Sequence, residues 1–278
     1  MRVWTSTALA SLLATATAWA GPNAALTGSA AIAAMVENAP PPPIDEQITA
    51  GSTTPDPNGT PTPALLQTPA DPSSTPAARY SRLDRSSCEA ELRRRQIGFV
   101  LVAEARGVLA PVRLTGPLHG VTYHPALPAS QRPSSPYEIL DCRLVLALDD
   151  FSTILARYDV VDVVHFSVYR PPSARWPAGR MGHQHDGALA IDAGWFKRKD
   201  GSVLQVERDF HGRIGASTCG PGTGPWPITA EATTLRHIVC EAATAHLFNV
   251  ELTPDYNWQH RNHFHLEVTP SVRWFIVH

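Results

Sequence analysis

Between Gly21 and Arg79 the chain holds no aromatic residue and runs through proline-rich phrases: APPPPID, TTPDPNGTPTP and TPADPSSTP. Such a stretch buries too little apolar surface to offset the entropy of ordering it, so residues 21–79 are expected to form an extended linker. A docking segment for a proline-binding partner is the other use this composition allows. Either way, a core has to come from residues 80–278, which are enough for one domain of ordinary size.

Ahead of the linker, MRVWTSTALASLLATATAWA carries one arginine, an apolar run and Ala18-Trp19-Ala20 before Gly21. That is the layout of a secretory signal peptide over residues 1–20. The run is too short and too rich in Ser and Thr for a membrane anchor, and no other segment approaches the ~20 residues of a span. An exported protein is expected, periplasmic or extracellular, with no transmembrane anchor. The net charge of −2 and pI near 6.6 argue against a nucleic-acid or membrane-surface partner. In an oxidising compartment the four cysteines predict two disulfides. Of the three possible connectivities, proximity favours Cys88–Cys142 and Cys219–Cys240. With no C-x-x-C pair, thiolate ligation of a metal is not expected.

Within 80–278, SSCEAELRRRQIGF reads as a helix capped by Ser86 or Ser87, with Glu89 or Glu91 early in its first turn. Residues 109–140 hold short strand-like pieces broken by Pro and Gly. CRLVLALDDFSTILARYDV places Leu144, Leu148, Phe151 and Leu155 on one helix face. DVVDVVHFSVYR alternates β-branched residues as a strand does. GALAIDAGWFKRKDGSVLQVERDF reads as a hairpin turning at Asp200-Gly201. A helix in TAEATTLRHIVCEAATAHLF and a strand in HFHLEV complete the set. Helices mixed with hairpins, without βαβ alternation, predict an α+β fold with a small central antiparallel sheet flanked by helices.

The chemistry concentrates in HRNHFHLEV, residues 260–268. On a strand, His263, His265 and Glu267 project to one face while Phe264, Leu266 and Val268 project to the other. The apolar set belongs on the core, which leaves the imidazoles facing a common space with His260 in the approach loop. A second phrase, GHQHDGALAID, adds His183, His185 and Asp192, with Ala190 and Gly194 as small neighbours that leave room for an ion. Two histidines and a carboxylate, with one position open to water, form the donor set of a catalytic zinc. Zinc brings the pKa of bound water to about 7, and a spare imidazole can carry its proton to the leaving group. The plainer alternative is a fortuitous H-x-H with Asp192 as a turn or edge residue. His119, His124, His211, His246 and His278 are read as surface residues, and His165 and His237 as structural ones.

On these residues the chain resembles the extensin-like C-terminal domains. That family is grouped with zinc peptidases including the D-Ala-D-Ala carboxypeptidases, penicillin-insensitive murein endopeptidase and the hedgehog signalling domain. The shared pattern is H-x(6)-D followed far downstream by H-x-H, here His185 with Asp192 and then His263-Phe264-His265. LTPDYNWQHRNHFHLEV, residues 252–268, is similar to the signature P-D-Y-N-x-x-H-x-x-H-F-H, and the likeness covers about 80–270. It implies one Zn2+ on His185, Asp192 and His265, with His263 as an active-site partner. His260 matches the histidine of the murein endopeptidase, and with His263 it would handle protons. Ser167-Val168-Tyr169-Arg170 resembles an S-G-Y-R segment whose arginine faces the substrate, so Arg170 would orient a carboxylate or carbonyl. Against the pattern S-x-H-x-x-G-x-A-x-D, His183 stands first and Ala188 replaces the middle Gly, with Gly187 one place early. His183 is left between a group behind the ligands and an alternative ligand. The E-P-W-H glutamate of the carboxypeptidases is missing, and Glu267 is read as a surface or supporting carboxylate. The implied function is an exported, monomeric zinc metallopeptidase acting on peptidoglycan peptides or cross-links. Its rival is a zinc-containing cell-wall-binding or signalling module without hydrolysis.

Overall fold

The computed structural model describes residues 71–278, so the signal-peptide reading and the linker reading over 21–70 lie outside the described residues. At its C-terminal end the linker reading is corrected. Thr75 caps a helix, α1 (Pro76–Ser81), by accepting the Ala78 N–H, and Pro76 occupies an opening position where a missing N–H costs nothing. Ala77, Ala78 and Tyr80 are buried, so the fold begins ahead of Tyr80. The next helix, α2 (Arg85–Arg94), is capped by Asp84 and not by Ser86 or Ser87: Asp84 Oδ1 accepts the Ser87 N–H at 2.7 Å. A carboxylate at that place also meets the positive end of the helix dipole.

Four short strands follow: β1 (Phe99–Leu101), β2 (Pro111–Leu114), β3 (Thr122–Pro125) and β4 (Leu140–Asp141). β1, β2 and β4 pair antiparallel as a side sheet. Asp141 then caps α3 (Cys142–Arg157) by accepting the Arg143 N–H. Its expected stripe of Leu144, Leu148, Phe151 and Leu155 is 0–1% exposed, each side chain contributing roughly 1.5–3 kcal/mol of burial. The helix ends at Tyr158, where Asp159 turns the chain at φ 59°.

The remaining elements are β5 (Val160–His165), β6 (Ala190–Arg198), β7 (Val203–Gln205), α4 (Val206–Asp209), α5 (Ala230–Thr244), β8 (Val250–Leu252), β9 (Phe264–Glu267) and β10 (Ile276–Val277). The main sheet runs β10-β8-β9-β6-β5-β3, with β7 paired to β6 across the expected Asp200-Gly201 hairpin. The fold is α+β, but the sheet is mixed where an antiparallel one is expected. β3 lies parallel to β5, and β10 parallel to β8. Parallel neighbours require a crossover, and α3 supplies it between β3 and β5. That crossover was hidden because β3 is a short piece in a Pro- and Gly-rich stretch.

One face of the sheet is the core side. Phe264, Leu266 and Val268 join Ile191, Ala193 and Phe196 of β6, the α3 stripe, and Leu235 and Ile238 of α5 in a single cluster. Both expected disulfides form: Cys88–Cys142 ties α2 to the start of α3, and Cys219–Cys240 ties a loop to α5, with Cα separations of 6.0 and 5.6 Å. Among the described residues no helix is long and apolar enough to cross a membrane.

Candidate metal centre

The β6–β9 ladder sets Asp192 directly opposite His265, a residue 73 positions away in the chain. Alternation along β9 turns His265 and Glu267 away from the face carrying Phe264 and Leu266. The parity expected from HFHLEV holds, and the histidine face is as buried as the apolar one.

His185 reaches the same place from a 3-10 turn, Gln184–Gly187, that closes with Ala188 in the left-handed conformation at φ 53°. This is the position where the family pattern has glycine, the residue freest at positive φ. Gly187 serves another need: a Cβ there would lie 2.6 Å from the Gly182 carbonyl oxygen. The Arg170 N–H donates to the His185 carbonyl at 3.1 Å, stitching the turn to the segment after β5.

The donor geometry follows from hydrogen bonding. His185 Nδ1 lies 2.8 Å from the Val168 carbonyl oxygen, which can only accept. The neutral ring therefore carries its proton on Nδ1 and turns the Nε2 lone pair to Asp192 Oδ1, 3.1 Å away. His265 places Nδ1 3.1 Å from the same oxygen and Nε2 3.5 Å from Glu267 Oε2. Ser167 Oγ and Arg170 Nη2 each donate to the other oxygen, Oδ2, at 2.7 Å. Asp192 thus commits one oxygen to protein donors and aims the other at imidazole nitrogens.

Imidazole nitrogens and a carboxylate oxygen packed this closely in a buried place are reconciled by a proton or a metal cation between them. His185, Asp192 and His265 offer ligand atoms within 4.8 Å of one another. The 3.1 Å separations come close to the edge of a tetrahedron built on metal–ligand bonds of about 2 Å. The proton is the alternative at His265. Burial opposes a charge on His265, yet the hydrogen bonds to Asp192 and Glu267 prevail and push it up to about 10. Asp192 itself, despite burial, is held well below the usual carboxylate range by His185, His263 and His265.

Two more imidazoles border the donor set. His263 Nε2 is 3.3 Å from Asp192 Oδ1, and its Nδ1 is 2.7 Å from Asn262 Oδ1. The His260 ring lies 5.2 Å from that of His263 and 5.7 Å from that of His265, centroid to centroid. Burial, followed by the neighbouring imidazoles, lowers His260 to about 3. Burial also lowers His263, to about 4, against the pull of Asp192. In both rings burial favours the neutral form.

Several sequence expectations are corrected here. Gly194 does not leave room for an ion: the Phe166 ring fills that space, 2.3 Å from where a Cβ would stand, and meets the edge of His263 at 6.1 Å. His183 is exposed at the start of the turn, makes no capping bond and is not among the residues whose ligand atoms converge with Asp192. Arg170 turns Nε to Ser167 Oγ at 3.1 Å and Nη2 to Asp192, so these donors hold the carboxylate. Glu267 is buried, not a surface group, and accepts from Thr269 Oγ1 at 2.8 Å. Away from the site, His124 and His278 are buried where surface residues are expected, and His237 is exposed where a structural one is expected.

The sequence reading gave no separate role to Ser167, Phe166 or Asn257, which the structure sets against Asp192, His263 and His260. Asn257 had a local signal, an Asx cap three residues before His260. Ser167 was in view only as the first residue of the Ser167–Arg170 segment, and Phe166 had no signal. They meet Asp192 through a register shift between β5 and β6 at Val164/His165, beyond which Phe166 N–H donates to Asp192 O and Asp192 N–H to Ser167 O.

Compared with known families, the one described as Extensin-like protein C-terminus matches residues 129–276, a span that holds every donor described above. Searches of curated proteins and of solved structures find no match.

Proposed function

Because the chain belongs to the Extensin-like protein C-terminus family, and its buried donors converge as described, we propose that it is an exported zinc-dependent metallopeptidase acting on peptidoglycan peptides or cross-links. The observation that carries this reading is the meeting of His185 Nε2, His265 Nδ1 and Asp192 Oδ1 beside two further imidazoles, those of His263 and His260. The signal-peptide layout and two disulfides support export.

His185, Asp192 and His265 would hold one zinc ion, a two-nitrogen, one-oxygen set that suits a catalytic site. When bound, zinc supplies Lewis-acid polarisation of a carbonyl and acidifies water. The chain's own residues supply the rest. Ser167 and Arg170 clamp Asp192 Oδ2, so the carboxylate presents Oδ1 in one orientation. Glu267 steadies His265 through its far nitrogen. His260 and His263 take the proton released by the attacking water and deliver it to the leaving amine as the amide C–N bond breaks.

The test uses the full chain as secreted: bound metal by elemental analysis, then incubation with isolated sacculi and a search for new amines by mass spectrometry. Wild type is expected to release peptide fragments. His265→Ala should lose the metal, while His260→Ala should keep it and lose release. Stoichiometric zinc with no bond cut in any sacculus preparation would make the protein a wall-binding or signalling module instead.

A further inference from the structure

Asn257 stands at the head of the 3-10 turn Trp258–His260. Its Oδ1 lies 3.2 Å from the His260 backbone nitrogen and 2.8 Å from His260 Nδ1. A backbone N–H can only donate, so the side-chain atom it meets is an oxygen and the amide orientation is settled. The imidazole nitrogen facing that same oxygen must then also donate, which puts the ring proton on Nδ1. In the neutral ring the lone pair is left on Nε2. We propose that Asn257 is a positioning residue that fixes His260 as the Nδ1–H tautomer and thereby makes Nε2 its proton-accepting atom.

The neighbouring backbone holds Asn257 in place. Asp255, fully buried, accepts from the Arg213 N–H at 2.7 Å and Thr218 Oγ1 at 3.0 Å, and pairs with Arg236 Nη1 at 3.0 Å. Tyr256 sets its ring edge-on to His260, with centroids 5.4 Å apart. The loop therefore enters the turn from a braced position, and Asn257 turns that bracing into one tautomer. The same argument does not apply to His263, because Asn262 has no backbone donor to fix its orientation.

The catalytic half of this inference rests on the peptidase reading; the tautomer does not. The test records two-bond 1H–15N correlations on the 15N-labelled, zinc-loaded full chain, with the His260 signals identified by their loss in His260→Gln. Wild type should show a protonated Nδ1 and a pyridine-type Nε2. In Asn257→Ala the proton should move to Nε2 or average between the two sites. Zinc content should stay unchanged, and kcat on muropeptides should fall roughly 10- to 100-fold at constant KM, part of what general-base catalysis supplies. Asn257→Asp, which can accept the same two bonds, should restore the Nδ1–H signature. A wild-type spectrum with the proton on Nε2 overturns the assignment even if Asn257→Ala does not fold. So does an Asn257→Ala protein that keeps both tautomer and kcat. A wild type that cleaves nothing defeats the peptidase reading, while the spectrum still decides Asn257.

Discussion

Asp192 gives its two oxygens different tasks, and the division is set by neighbours that are themselves held. Ser167 and Arg170 take Oδ2, and the histidines face Oδ1. Glu267 completes the pattern behind His265, where removing its charge leaves the ring less strongly oriented. Glu267→Gln is expected to weaken zinc binding by about 10- to 100-fold, read by competition against a chromogenic chelator. A second buried carboxyl shows what happens without such partners. Glu251 shares the core face of the sheet with Leu266, is 1% exposed, and has no partner for Oε2. Burial raises its carboxyl well above its ordinary 4.5. The folded protein thus keeps a proton that the unfolded chain releases, and this group's contribution to stability falls as pH rises above 4.5, by up to about 1.4 kcal/mol per pH unit. Glu251→Met should therefore gain stability over wild type in urea unfolding, with a margin that widens from acidic to alkaline pH.

At the scale of elements, the site is a product of register. One ladder pairs Asp192 with His265, and one irregularity at Val164/His165 brings Phe166 and Ser167 alongside. Slipping β9 by one residue would exchange its faces, putting His265 into the core and Phe264 at the site. At Gly194 the Phe166 ring lies where a Cβ would stand. Gly194→Ala is expected to cost about 1–3 kcal/mol by overpacking and to disturb the His263 ring that Phe166 touches. Adding Phe166→Leu should recover much of the stability, measured by urea unfolding, but not the His263 environment seen by NMR.

For the molecule as a whole, a cation at the centre would join strands β6 and β9 to the turn that carries His185. A ligand bound only by the native state adds RT ln(1 + [L]/Kd), about 2.7 kcal/mol at a hundredfold excess over Kd. For a domain of this size each kcal/mol is worth roughly 2–4 °C in Tm. Chelation is therefore expected to lower the Tm of wild type by roughly 5–10 °C and to leave Asp192→Asn unmoved in calorimetry. A chelator effect equal in both proteins would locate the metal elsewhere.

The sequence by itself determined the parts that depend on short-range periodicity and residue chemistry. The α3 stripe, the hairpin at Asp200-Gly201 and the parity of HFHLEV were legible because alternation and helical spacing act within a few residues; the disulfide pairs followed from the order of the cysteines along the chain, and His185, Asp192 and His265 were picked out by the family resemblance. The tertiary structure alone decided which nitrogen or oxygen each of those groups presents, that Arg170 clamps Asp192, that Phe166 fills the space over Gly194, and that His183 stays outside. It also decided that β3 and β5 lie parallel. These are contacts between segments far apart in the chain. They are set by strand register and by burial of both sheet faces, neither of which leaves a mark in any single stretch of residues.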